Sequence, residues 1–531
     1  MNILNIEHIS KIFGDKTIFD DVSLGVHQGD KIGVLGVNGT GKSTLLKIIA
    51  GMETADEGEV IFGRGIRTAF LPQNPEFPDG AKVLSYVTEG KHDPDGGEPV
   101  SEAKAILTKL GICDFEETVD HLSGGQKKRV ALARTLVDPA DVLILDEPTN
   151  HIDNDMALWL EDYLKRFKGV LIMVTHDRYF LDRVTNKIAE IDKGKLYTYD
   201  SNYSGFLALK TQREEMELAA ERKRRSLLRT ELEWVKRGPQ GRGTKQKARL
   251  DRYEQLKNME GPREARNVEM DSVGTRLGKK TIELHRISKA YGEKKLIKDF
   301  TYIILRDDRL GIIGPNGCGK STLMKIITGR LVPDSGEVVT GDTVKIGYFA
   351  QENEDMEDDI RVIDYIRDVA DYIQTPGGKI SASQMLERFL FTPSMQYTPL
   401  SKLSGGEKRR LYLLKVLMDA PNVLVLDEPT NDLDIATLRV LEDYLDSFQG
   451  IVLTVSHDRY FLDRIAGRIF AFEGGGEIKQ YEGGYTDYLR AVKPAEQTKP
   501  KEKTDKKSWK QKDTRLRFSY KEQREYETID E

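Results

Sequence analysis

One ordered set of short motifs occurs twice in this 531-residue chain, and that duplication limits its fold more than any other feature. The first copy reads Gly36-Val-Asn-Gly-Thr-Gly-Lys-Ser43, then Gln73, Leu122-Ser-Gly-Gly-Gln126, Leu143-Ile-Leu-Asp-Glu-Pro148 and His176. The second reads Gly314-Pro-Asn-Gly-Cys-Gly-Lys-Ser321, Gln351, Leu403-Ser-Gly-Gly-Glu407, Leu424-Val-Leu-Asp-Glu-Pro429 and His457. The offset is 278 residues for Lys42/Lys320 and Gln73/Gln351, and 281 for Ser123/Ser404, Glu147/Glu428 and His176/His457. Five elements in one order at a nearly constant spacing are an internal repeat. The chain is also too long for one core, so two similar domains are expected.

Each motif implies chemistry by its residue types. Ile32–Leu35 and Leu310–Ile313 read as buried parallel strands, each entering a glycine-rich loop and then a helix. In such loops glycine lets backbone N–H groups turn toward phosphate, and the following helix adds its positive end. The loop residues Gly36, Asn38, Gly39, Gly41, Thr44 and Gly314, Asn316, Gly317, Gly319, Thr322 are thus candidate nucleotide contacts. Lys42 and Lys320 are expected to reach the outer phosphates, and Ser43 and Ser321 to hold Mg²⁺. The apolar runs ending in Asp146-Glu147 and Asp427-Glu428 put acids at the carboxyl end of a strand. Asp146 and Asp427 are expected on the metal, Glu147 and Glu428 on the attacking water. His176 and His457 open the repeated stretch His-Asp-Arg-Tyr-Phe-Leu-Asp and are assigned to the γ-phosphate. Phe13 and Tyr291 are candidate adenine stackers or core aromatics.

Charged residues make up 32% and apolar residues 38%, with no apolar run of about 18–20 residues, so no membrane span is expected. The first residues lack a basic segment followed by an apolar one, and two cysteines, Cys113 and Cys318, make no disulfide framework. A cytoplasmic protein is the expectation.

On these motifs the chain resembles the ATP-binding cassette superfamily. The resemblance implies that each Leu-Ser-Gly-Gly signature serves the other copy's nucleotide. Site one would be Gly36–Thr44, Gln73, Asp146, Glu147 and His176, covered by Ser404, Gly405 and Gly406. Site two would be Gly314–Thr322, Gln351, Asp427, Glu428 and His457, covered by Ser123, Gly124 and Gly125. Gln73 and Gln351 join the expected metal shell. Gln126 and Glu407 make the two signatures unequal by one charge.

The stretch between the copies reads as a helical hairpin: Thr211–Val235, a break at Arg237–Gly243, and Thr244–Lys257. From Arg222 to Arg252 there are twelve basic and three acidic residues, a balance of +9 in a chain of net −6. Such concentration of one sign is the footprint of a nucleic-acid contact, although a spacer helix is the plainer alternative. Two cassettes joined this way resemble the ABC-F family, with a linker tip similar to its Uup-type branch. The expected architecture is α/β: two tandem ABC-type P-loop ATPase domains (1–202 and 278–492), a basic linker (203–277), and a Lys-rich tail (493–531) whose last part resembles the start of a coiled coil. The resemblance implies a monomeric ATPase, its cassettes pairing within one chain, that uses ATP and Mg²⁺. It would bind the ribosome at the tRNA exit site, touch 23S rRNA and tRNA through Lys236, Arg237, Arg242, Lys245, Lys247 and Arg249, and relieve stalled peptidyl transfer. The rival readings are a DNA-binding ATPase of recombination or repair, a transporter's ATPase subunit, and antibiotic-resistance ribosome protection. The short linker tip and the 48 residues between Gln73 and Leu122 argue against the last.

Changing Arg237, Arg242, Lys245, Lys247 and Arg249 together to Ala is expected to weaken ribosome binding. The log–log salt slope should flatten by roughly 0.7–0.9 per lost phosphate contact, while ribosome-free ATPase activity holds. Unchanged binding across a salt titration would make the linker a spacer.

Overall fold

The computed structural model describes residues 2–14, 16–90, 99–150, 152–236, 277–278, 280–292, 294–350, 356, 359–375, 378–431 and 433–492. The strongest local determinants are the apolar runs. Val142–Asp146 and Val170–Val174, with their repeats Val423–Asp427 and Ile451–Val455, are strands with every residue buried. Burial on both faces is the mark of a parallel sheet covered on two sides.

Each half builds one such sheet of six strands. In the first half the order is Thr68–Leu71, Val142–Asp146, Val170–Val174, Lys31–Leu35, Lys187–Asp192, Lys195–Tyr199. In the second it is Ile346–Phe349, Val423–Asp427, Ile451–Val455, Arg309–Ile313, Arg468–Gly474, Glu477–Glu482. All pairings are parallel except the last in each sheet. Strand periodicity divides the core in two. Leu143, Leu145, Leu171 and Met173 face one side, against the helices around Val83–Thr88, Pro99–Lys109 and Gly124–Val137. Val142, Ile144, Val170 and Ile172 face the other, against the helix Lys42–Ile49 and a three-stranded antiparallel sheet. That second sheet is Lys16–His27, Asn2–Phe13, Glu57–Phe62, repeated as Lys294–Ile304, Ile282–Tyr291, Ser335–Thr340.

The duplication extends to backbone conformations that sequence does not print. His8 and Arg286, Asp21 and Asp299, and Glu147 and Glu428 are matched pairs of non-glycine residues with φ between 46° and 55°. The halves differ between the glutamine and the signature, where the second carries a hairpin, Tyr372–Thr375 with Gly378–Ser381. This stretch contains the extra residues that change the offset from 278 to 281.

The chain leaves the first sheet through a continuous helix, Tyr203–Lys236. Its base is fixed by Arg213, which pairs with Glu190 at 3.1 Å and lies 3.8 Å over the Tyr197 ring. Further along, buried Glu221 accepts from Arg224 Nε at 2.7 Å and Arg225 Nε at 2.8 Å, so one carboxylate offsets one of these two charges locally. The expected turn and second helix of the hairpin, with Arg237, Arg242, Lys245, Lys247 and Arg249, lie outside the described residues, as does the tail 493–531. Among the described residues no helix is long and apolar enough to cross a membrane.

Gly58 tests the registry of the antiparallel sheet. Its φ is +82°, and a Cβ there would lie 2.3 Å from the Glu7 carbonyl oxygen and 2.4 Å from that of His8. Backbone cannot yield as a side chain can. Gly58→Ala is expected to cost about 1–3 kcal/mol and lower the melting temperature. A melt indistinguishable from the parent's would contradict this packing.

Candidate ATP sites

The parallel strands deliver their carboxyl ends to one edge of each sheet, and the motifs collect there. In the first half Gly41, at φ +96°, begins the helix Lys42–Ile49. Its counterpart Gly319, at φ +116°, begins Lys320–Ile327. Both are left-handed positions that favour glycine. The lysines that follow are buried and fold back over their own loops. Lys42 Nζ donates to the Gly36 carbonyl at 2.8 Å, and Lys320 Nζ to that of Gly314 at 2.7 Å. Burial lowers the Lys42 pKa, with Glu147, Asp434 and Asp146 opposing.

Asp146 and Asp427 end their strands fully enclosed, and burial raises both pKa values. Neighbouring hydroxyls and lysines pull back. Ser43, Lys128 and Lys42 act on Asp146, and Ser321 donates to Asp427 at 3.2 Å. The next residue in each copy turns sharply. Glu147 and Glu428 adopt φ of 52° and 50°, and their N–H groups bond to the Val174 and Val455 carbonyls at 2.9 Å. A glutamate in this conformation carries strain of roughly 1–2 kcal/mol, held identically in both halves. The turn brings each carboxylate to its histidine: His176 Nε2 is 3.2 Å from Glu147 Oε1, and His457 Nε2 is 3.3 Å from Glu428 Oε1. Burial, reinforced by Lys42 or Lys320, lowers both histidine pKa values to about 3. The imidazoles are therefore neutral at physiological pH.

Two cavities form at these edges, each lined from both halves. The first, of about 660 Å³, has Phe13, Asn38, Gly39, Gly41, Lys42, Ser43, Thr44, Gln73, Asp146, Glu147 and His176 on one wall. Ser404, Gly405, Gly406 and Arg409 close the other. The second, of about 400 Å³, sets Asn316, Gly317, Gly319, Lys320, Ser321, Thr322, Glu428 and His457 opposite Ser123, Gly125 and Arg129. Gly36 and Gly314 lie behind the lysines, Gly124 between two lining residues, and Asp427 behind Ser321. Tyr291 is not among the residues lining the second cavity; it is 55% exposed, with Lys289 Nζ 5.6 Å from its ring centre. Gln351 lies outside the described residues.

The signature serines are helix caps. Ser123 N donates to Gln126 at 3.0 Å and Ser404 N to Glu407 at 2.8 Å, each completing a reciprocal capping box. The one-charge difference between Gln126 and Glu407 is thus spent on the same backbone group. Two lining residues carry no signal in the motif spacing: Arg129 and Arg409, on the signature helices. The repeated stretch after each acid pair, Asn150–Asp153 and Asn431–Asp434, resembles the family's loop that joins the two sites. Asp434 accepts from Asn38 N of the other half at 2.9 Å and from Thr437 N at 2.7 Å. Burial alone would raise its pKa, but these two bonds together with the Arg410 charge and the Thr437 hydroxyl bring it down.

Comparison with known proteins supplies the family. A family model described as ABC transporter matches residues 19–150 and 297–431, and an extension model of the same description matches 189–270. The energy-dependent translational throttle protein EttA of Escherichia coli K12 is 38% identical over 526 residues, covering 92% of this chain and 95% of that protein. The chain belongs to the ABC-F family. Its two cassettes are ATP-hydrolysing domains joined by a helical linker. The ABC transporter ATP-binding protein YfmR of Bacillus subtilis is 47% identical, covering all of this chain and 91% of that one. Among solved structures, an archaeal ribosome recycling factor, aABCE1, in complex with the stalk protein aP1 has a TM-score of 0.62 at 20% identity, covering 91% of this chain and 92% of that one. At that identity the likeness is one of fold.

The strain at Glu147 yields a test. Glu147→Gly removes a side chain from a left-handed position, so it is expected to raise the melting temperature while nearly abolishing hydrolysis at that site. A variant that is less stable and still active would refute both the strain and the role.

Proposed function

We propose that this ABC-F protein is an ATP-driven translation factor that binds the ribosome at the tRNA exit site and helps stalled peptidyl transfer resume. The observation that carries the ATP cycle is the pair of cavities, each walled by one cassette's phosphate loop and the other's signature. Signature N–H groups meet the γ-phosphate only when the cassettes are closed. That gives ATP a differential affinity for the closed state, which is what any ligand-driven change requires. The chain would work as a monomer, its two cassettes pairing with each other.

In each site the neutral histidine and the glutamate beside it would hold the attacking water, with Glu147 or Glu428 accepting its proton. Lys42 and Lys320 would leave their loop carbonyls for the phosphates. The enclosed carboxylate beside a serine hydroxyl is an all-oxygen donor set of the kind Mg²⁺ prefers. Ser43, Gln73 and Asp146 would hold the ion in site one, and Ser321, Gln351 and Asp427 in site two. The bound ion neutralises phosphate charge. Phe13 is suited to stack on adenine from the cavity wall.

The ribosomal part of the reading is supported by the family, by a relative named as a translational throttle, and by the +9 balance of the linker stretch. Lys236, Arg237, Arg242, Lys245, Lys247 and Arg249 would meet 23S rRNA and tRNA through phosphate and shape, as folded RNA is generally met. The likeness of the linker tip to the Uup-type branch belongs to this reading as well.

Glu147→Gln with Glu428→Gln is expected to keep ATP binding, to slow hydrolysis on the order of 10²-fold or more, and to hold the protein on 70S ribosomes in ATP. Co-sedimentation measures this directly. Retention on branched DNA but not on ribosomes would move the protein to the DNA-repair reading.

A further inference from the structure

The repeated stretch His176–Asp182 and His457–Asp463 has so far been used only at its first residue. Each of its polar residues has a defined destination. Asp177 caps the helix Arg178–Val184 by accepting from Phe180 N at 2.9 Å, and Asp458 caps Arg459–Ile465 at 3.0 Å. Arg178 leaves its own cassette. It is 3% exposed, grips Glu442 of the other cassette with both terminal nitrogens, one at 3.1 Å, and lies 3.4 Å from Asp458. Arg459 returns the contact, donating to Glu161 at 2.7 Å and to the Asn154 carbonyl at 3.4 Å. Glu161 and Glu442 are buried and occupy equivalent positions in Asn154–Arg166 and Ile435–Ser447. Each is steadied from its own side, by Arg183 at 3.0 Å and Arg464 at 2.7 Å.

The far end of the stretch points elsewhere. Asp182 Oδ1 accepts from Ser204 N at 2.8 Å, in the first turn of the long helix Tyr203–Lys236. Asp463 does the same for Thr486 N at 2.7 Å, in the helix Tyr485–Val492. One short rigid helix thus joins the γ-phosphate histidine, the opposite cassette and the root of the linker.

We propose that Arg178 and Arg459 are positioning residues: their buried pairs with Glu442 and Glu161 form only when the cassettes close, fix the loops carrying His176 and His457 in working geometry, and pass that state through Asp182 to the base of the linker helix. In an open protein each arginine is solvated and the histidine loop loses its outer anchor. On closure an arginine without its glutamate would leave a buried charge short of its main partner, with only Asp458 beside Arg178, so closure and loop geometry are tied together.

The inference rests on closure by ATP, as argued above. The ribosome takes no part in its test, so failure of the ribosomal reading would leave these outcomes standing. Arg178→Gln, Glu442→Gln and the double variant are compared in the full chain for ATP turnover and for affinity toward a fluorescent ADP analogue. Arg178→Gln is expected to lower kcat at least about tenfold, with ADP-analogue affinity within about twofold, because open-state binding does not use the pair. The double variant should be scarcely worse than the single one, as for two members of one interaction. Unchanged turnover, or two losses that multiply, would overturn the proposal. Asp182→Ala provides a second arm that keeps the interface intact. Turnover is expected within about twofold, while ATP-dependent protection of the Ser204–Leu207 amides from hydrogen exchange is lost. Protection equal to the parent's would remove the link to the linker.

Discussion

Everything at the nucleotide sites depends on carboxylates held out of water at the carboxyl ends of two parallel sheets. Asp146 is fully enclosed and Glu147 nearly so, and Asp427 and Glu428 repeat the arrangement. An ionised group in such a place costs several kcal/mol unless charge or hydrogen bonds compensate it. The compensation here comes from Lys42 or Lys320 and from serine hydroxyls, which are also the groups that phosphate and Mg²⁺ would use. The glycines that begin the helices, the left-handed turn at each glutamate and the neutral histidines all bring donors to this acid pair.

The same economy governs the interface. Neither nucleotide cavity is walled by one cassette alone, and the ion pairs between cassettes are buried. Buried pairs with excellent geometry specify arrangement more than they add stability. Arg178 with Glu442 and Arg459 with Glu161 join the cassettes in the arrangement in which signature and phosphate loop face each other.

Much of the fold and of the site was legible in sequence because the motifs combine fixed spacing with residue types that have few other uses. Glycine loop, acid pair and histidine could be ordered on strands and helices from local patterns alone. The facing of each signature and the other copy's loop came from the family resemblance; the ion pairs across the interface were not legible. Arg178 and Glu442 are separated by 264 residues, Arg459 and Glu161 by 298, and each alone resembles a solvated charge on a helix. The left-handed φ of Glu147 and Glu428 was also hidden, since nothing in Asp-Glu-Pro requires it. Phe13 and Tyr291 keep the same setting in the two repeats, each exposed with the lysine two residues before it lying 5.3 and 5.6 Å from the ring centre.

The crossed construction changes how damage to this molecule would map. A lesion in the first Leu-Ser-Gly-Gly segment falls on the wall of the second cavity, and a lesion at Glu442 removes the partner of Arg178, two residues from His176 in the first. Position along the chain therefore does not tell which nucleotide is affected. Two defects in one half could spoil both sites, whereas two defects in different halves could spare one.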